Sequence, residues 1–195
     1  MWSVLAAAPV PEPKLDDLRV GLLTQPPSVG GPALPENNAA EAYVERLEGL
    51  GARVVEARIP EPQADTSPLF FDEAAVSDRA TFPPRAAQYG DNVRTKLELA
   101  QAVDPGDVER ARAAVAAWRA YEPEVDLYVA PVIGVEVPPV DCEELDVRIL
   151  LTAFLRPFNV LGWAALAIGD LQLVAPRDEV VLAAGLAWEL SSAGE

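Results

Sequence analysis

The stretch FNVLGWAALAIG, residues 158–169, runs directly into DLQLVAP, residues 170–176. Two apolar runs, AALAI and LQLVA, are separated only by Gly169 and Asp170, a residue pair suited to a tight two-residue turn. Read as strands, they form a hairpin, with AALAIG as a buried strand entering the turn. The left half, from Phe158-Asn159 to the Gly162-Trp163 break, reads as an irregular approach to that strand.

Upstream, RVGLLT (19–24) is a short β-type run, and the loop QPPSVGGPALP after it carries turn residues at most positions. Between 36 and 50 apolar residues recur at Ala40, Val44, Leu47 and Leu50, with Pro35 at the start and Gly51 as a C-terminal stop, which predicts a helix. RVVEARI (53–59) is a second strand. Strand, helix, strand at this spacing is a βαβ unit, and it predicts a parallel pair with a right-handed crossover.

Helices are expected at 69–80, at 91–102 with Val93, Leu97 and Ala100 on one face, and at 107–121 with Val108, Ala111, Val115 and Trp118 on another. Trp118 at that spacing is expected to pack in the core. DLYVAPVIG (126–134) is apolar almost throughout, as a strand covered on both faces should be. An acidic, proline-rich loop, VEVPPVDCEELD, leads to a short helix near 146–154, and a last helix spans 178–190, opened by Asp178 and Glu179 at its positive dipole end. The 19 prolines fall almost entirely between these elements, so residues 1–195 are expected to form one domain with long ordered loops. The fold class is α/β: a βαβ-containing mixed sheet covered by helices.

Composition excludes several function classes. The net charge of −16 repels phosphates, which speaks against nucleic acid or an anionic bilayer as partner. There is no histidine and a single cysteine, Cys142, so disulfide frameworks, ordinary zinc sites and a histidine-based triad are ruled out. No apolar run reaches the roughly 18 residues needed to cross a bilayer. MWSVLAAAP lacks a basic segment and is cut short by Pro9, so it is no signal peptide, and a cytoplasmic protein is expected.

The order of segments resembles the C-terminal half of an amidase signature enzyme. The matching pieces are LRVGLLT, GARVVEARIPEP, FPPRAAQYGDNVRTKLELA, DLYVAPVIG and, more specific, RPFNVLGWAALAIG and LQLVAPRDEVVLAAGLAWE. The resemblance implies the C-terminal portion of an α/β/α sandwich, with residues 1–18 the remnant of a connecting helix and a proline-rich linker. Ala164 stands where the family commonly has proline, and the link from Ala167 to Leu171 is shorter than the family's.

In that family catalysis belongs to a lysine, a serine in a cis peptide and a nucleophilic serine in a Gly/Ser-rich stretch of the N-terminal half. None has a counterpart here, so no catalytic residue is expected. A serine nucleophile needs a base within hydrogen-bond reach and an oxyanion hole. Ser191 and Ser192 lie in what reads as a frayed tail, Ser28 in a turn-rich loop, and Lys14 and Lys96 on solvated surface. Carboxylate pairs such as Glu143-Glu144 and Asp16-Asp17 are adjacent and point apart, and a metal held by Asp141, Glu143 and Glu144 is a weak alternative.

The resemblance therefore implies a segment of a hydrolase acting on carbon-nitrogen bonds of carboxylic amides, catalytically incomplete alone, or else a non-catalytic module that complements a separate catalytic half. It implies no cofactor and no metal. The partner would be an N-terminal amidase half or a second copy, with a small amide bound only once the site is completed. Residues bordering a substrate would sit where α/β sheets place their crevices, at the C-terminal ends of strands. These are Pro131, Val132 and Ile133 after the third strand, and Thr152, Phe158 and Asn159 before the hairpin.

Overall fold

The computed structural model describes residues 9, 11–29, 37–142 and 144–192. Five strands, β1 (Arg19–Leu22), β2 (Arg53–Glu56), β3 (Leu127–Pro131), β4 (Ala164–Ile168) and β5 (Leu171–Ala175), form one sheet in the order β2-β1-β3-β5-β4. β1 pairs in parallel with both β2 and β3, whereas β5 runs antiparallel to β3 and to β4. The sheet is mixed, as expected, and its two halves meet between β3 and β5.

The crossover from β1 to β2 is helical but shorter than 36–50. A 3-10 turn at Ala39–Tyr43 runs into α1 (Val44–Gly49), and Pro35 lies outside the described residues. The Asn37 Oδ1 accepts from the Ala39 amide ahead of this turn at 2.9 Å. Gly51 ends the crossover at φ +89°, a conformation that costs a residue with a Cβ. Three helices fill the centre: α2 (Ser67–Asp78), α3 (Asp91–Gln101) and α4 (Pro105–Arg119). Asp104 caps α4, its carboxylate accepting from the Gly106 and Asp107 amides, and Pro105 occupies the first turn, where its missing N–H costs nothing.

Alternation along the strands divides the core into two layers. Val20, Leu22, Leu127, Val129, Leu171, Leu173 and Ala175 face α1 and the last helix, α7 (Asp178–Ser192), through Leu47, Val181, Ala184 and Trp188. Tyr128, Ala130 and Val174 face the other way, onto Trp118, Phe154, Phe158 and Leu161. Every residue of β3 and of β5 is buried, which accounts for their near-continuous apolar sequences. Trp118 is a core residue, 4 % exposed, and its indole N–H donates to the Pro60 carbonyl at 2.7 Å.

Three expectations for the C-terminal third need correction. The segment around Phe158 and Asn159 is helical: α5 (Glu144–Leu151) is followed by the six-residue α6 (Arg156–Leu161), with Pro157 in its first turn and Gly162 ending it in the left-handed region at φ +74°. AALAI is an edge strand, only half buried. Ala164, Leu166 and Ile168 pack toward α7, whereas Ala165 and Ala167 are exposed. The turn itself is as expected: Ile168 pairs with Leu171, and Gly169 adopts φ +60°. Ser191 is also no frayed residue. It belongs to the last turn of α7, where its hydroxyl donates to the Trp188 carbonyl and accepts from Arg46, both at 2.7 Å. The Arg46 guanidinium lies 3.9 Å from the centre of the Trp188 ring, a cation–π contact that closes this end of the core. The proposed connecting helix at 1–18 falls largely outside the described residues; Pro11–Leu15 is non-helical, with Leu15 buried and the Lys14 amide bonded to the Ala183 carbonyl.

The second core layer is organised by rings. Trp163 stacks on Tyr121, Tyr128 and Phe158 with interplanar angles of 22°, 24° and 18°, and the two tyrosine hydroxyls lie 3.2 Å apart. Burial, then the hydrogen bond and the charge of Tyr121, then the charge of Glu124, raise the Tyr128 pKa far above its ordinary 10.0. The folded state therefore keeps this proton to higher pH than the unfolded chain does. Its contribution to stability is complete below about pH 10 and is lost as pH rises beyond that value. Denaturant unfolding across the alkaline range should show stability falling above about pH 10, and Tyr128→Phe should flatten that slope by up to about 1 kcal/mol per pH unit.

Candidate functional site

Because β1, β2 and β3 are parallel, their C-terminal ends share one edge of the sheet, the place where open α/β sheets hold ligands. The hairpin turn between β4 and β5 lies at that same edge, since Pro131 at the end of β3 pairs with Leu171. A set of hydrogen bonds ties the segments there together. The Val132 amide donates to the Asp170 carbonyl at 2.9 Å. The Asn37 side-chain amide donates to the Gly134 carbonyl at 2.9 Å, and the Asn37 backbone amide to the Thr24 carbonyl at 2.8 Å.

The strongest of these ties is Gln172. Its side chain is 2 % exposed, and its Nε2 donates both to the Pro131 carbonyl at 2.9 Å and to the Phe154 carbonyl at 2.8 Å. It thus joins the end of β3 to the turn between α5 and α6. Close packing supports this junction: a Cβ added at Gly134 would lie 2.9 Å from Phe154 Cδ2.

Of the six residues expected to border a substrate, Pro131, Val132 and Ile133 lie at this junction: Pro131 is buried, Val132 half-buried and Ile133 36 % exposed. Thr152 lies in the same turn as Phe154, with its hydroxyl donating to the Arg148 carbonyl at 2.8 Å. Phe158 belongs to the ring stack, 2 % exposed, and Asn159 is exposed on α6. Gln172 and Asn37 were not anticipated. A lone polar residue inside LQLVA, an otherwise apolar strand, is the signal that could have drawn attention to Gln172.

Two serine hydroxyls, those of Ser67 and Ser191, take part in contacts between helices. The Ser67 hydroxyl accepts from the Arg156 guanidinium at 3.1 Å, and Ser191 is bound between Arg46 and the Trp188 carbonyl. Arg156 is half-buried; burial lowers its pKa, Asp65 opposes that shift, and Arg148 adds to it. Cys142 is a half-buried free thiol. Among the described residues no group of three His, Cys, Asp or Glu side chains is arranged to hold a metal ion; Glu143 lies outside them. A groove of about 180 Å³ runs along Pro60, Glu61, Pro62, Gln63, Trp118 and Tyr121, smaller than the ~300 Å³ at which ligand pockets usually begin. No described helix is long and apolar enough to cross a membrane.

No protein-family model matches the chain, and no curated protein matches it significantly. Solved structures do match. A structure described as an amidase superposes with a TM-score of 0.70 at 21 % identity, covering 97 % of this chain and 49 % of its own. The fold is that of amidase structures. An inhibitor-bound complex described as a vestigial protein complex revealing the origins of an s-triazine catabolic enzyme matches at TM-score 0.64 and 19 % identity, over 92 % of this chain and 44 % of that one. A glutamyl-tRNA(Gln) amidotransferase component from Thermotoga maritima matches at 0.59 and 16 %, over 91 % and 43 %. The chain thus spans about half the length of the amidase-fold structures it matches.

Gln172→Leu should leave two buried carbonyls without a donor, at about 1–3 kcal/mol each. Chemical denaturation should show a loss of about 2–4 kcal/mol, and hydrogen exchange should show faster opening of the Val132 amide. Unchanged stability would show that Gln172 does not hold this junction.

Proposed function

We propose that this chain is the C-terminal segment of an amidase-type hydrolase acting on carbon-nitrogen bonds of carboxylic amides, and that it does not catalyse the reaction alone. The observation that carries this reading is the pairing of an amidase fold with about half the length of its structural neighbours. The occupation of Ser67 and Ser191 by arginines and a backbone carbonyl supports the second clause, since a nucleophilic serine needs its hydroxyl free toward a base and toward substrate. On this reading Pro131, Val132, Ile133 and Thr152 border the bound amide, with Phe158 and Asn159 supporting them from α6. The lysine and serines of the catalytic set belong to an N-terminal half, and no cofactor or metal takes part.

A closely related reading makes the chain a non-catalytic module that completes such a half. Exposed apolar side chains favour it: Val137 is 72 % and Ile149 38 % exposed, on the loop after β3 and on α5, close to the strand ends.

Assays of the purified chain with simple aliphatic and aromatic amides should give no turnover above the uncatalysed rate. Adding an N-terminal half that carries the Gly/Ser-rich stretch and the lysine should restore it. Robust turnover by the chain alone, abolished by a single serine substitution within it, would overturn the proposal.

A further inference from the structure

Arg156 reaches across the strand-end edge. Its amide donates to the Thr152 carbonyl at 2.9 Å, so its backbone belongs to the turn that Gln172 ties to the end of β3. Its guanidinium donates through Nη2 to the Ser67 hydroxyl at 3.1 Å, at the start of α2. The neighbouring Thr66 hydroxyl in turn donates to the Val29 carbonyl at 2.9 Å. One side chain therefore stands where the segments that follow β1, β2 and β3 meet.

The cation is held there against opposition. Arg156 is half-buried, and burial works against its charge; Asp65 offsets part of this, and Arg148 adds to it. The Asp65 carboxylate is itself engaged at the start of α2, accepting from the Ser67 amide at 2.8 Å. Among the described residues no carboxylate lies within ion-pair distance of the Arg156 guanidinium. Arg148 precedes Thr152 by one helical turn, as Thr152 precedes Arg156, and the Thr152 amide donates to the Arg148 carbonyl at 3.1 Å. Two arginine charges thus act on one another beside the crevice, an arrangement that an anion relieves.

We propose that Arg156, with the charge of Arg148 behind it, receives the carboxylate of a ligand at this edge, so that the amide hydrolysed there is one that carries an anionic group. A guanidinium meets a carboxylate through two parallel N–H···O bonds, and the bond to Ser67 engages Nη2 alone. Asp65 disfavours a dianion more than a singly charged group, which sets phosphate below a carboxylate. The identity of the ligand as a hydrolysed amide rests on the amidase reading; anion binding at Arg156 does not.

The test titrates the full, isotope-labelled chain with succinamate, which carries an amide and a carboxylate, with succinamide, its uncharged counterpart, and with inorganic phosphate. Succinamate should shift the backbone amides of Ser67 and Arg156 saturably and bind about tenfold more tightly than succinamide. Arg156→Gln should remove that preference and Arg156→Lys should keep part of it, with the β5 amides unchanged in both. Equal affinity for the two amides, or a preference that survives Arg156→Gln, would overturn the proposal. So would phosphate binding as tightly as succinamate, which assigns the edge to oxyanions in general. Titration involves no hydrolysis, so a carboxylate preference without restored turnover by any N-terminal half would count against the amidase reading alone. Restored turnover that treats the two amides alike would count against this inference alone.

Discussion

One buried side chain ties the end of β3 to the turn that precedes α6. Gln172 lies on β5, where the parallel strands give way to the antiparallel hairpin, and its amide donates to carbonyls from β3 and from the turn before α6. A buried polar group is costly unless its hydrogen bonds are made. Here both donor hydrogens have acceptors, and among the described residues no buried side-chain polar atom lacks a partner. Gln172, with the bond from the Val132 amide to the Asp170 carbonyl, relates Pro131, Val132 and Ile133 to the turn that holds Thr152. Asn37 fastens the same loop from the crossover side through the Gly134 carbonyl.

Much of this architecture is legible in the amino-acid sequence, and the exceptions share a cause. The βαβ unit, α3, α4, β3 and the Gly169-Asp170 hairpin are carried by local signals: apolar periodicity, a proline or acid at a helix start, a glycine at a stop. α6 escapes because six residues are too few to establish a helical period, and its apolar residues read equally well as an approach to a strand. β4 reads as buried because alanine is indifferent to exposure, so Ala165 and Ala167 on the open face do not announce themselves. Ser191 reads as tail because what holds it is Arg46, 145 residues away. The candidate site is legible only as far as strand ends go. Gln172 is visible as an anomaly in LQLVA, but the carbonyls it meets are fixed by tertiary packing.

The Gln172 and Asn37 ties at the strand ends lie apart from two serine hydroxyls that join helices. Ser67 serves Arg156, joining α2 to α6, and Ser191 serves Arg46, joining α1 to α7. These are roles in holding helices together. The chain has the fold of amidase structures and spans about half their length.

On the proposed function the chain has the fold of an amidase and no serine nucleophile of its own. A fluorophosphonate probe, which phosphonylates activated serines, followed by intact-mass measurement of the native chain, tests it directly. An unmodified mass is expected after prolonged exposure. A stoichiometric adduct on one serine, absent from the unfolded chain, would contradict it.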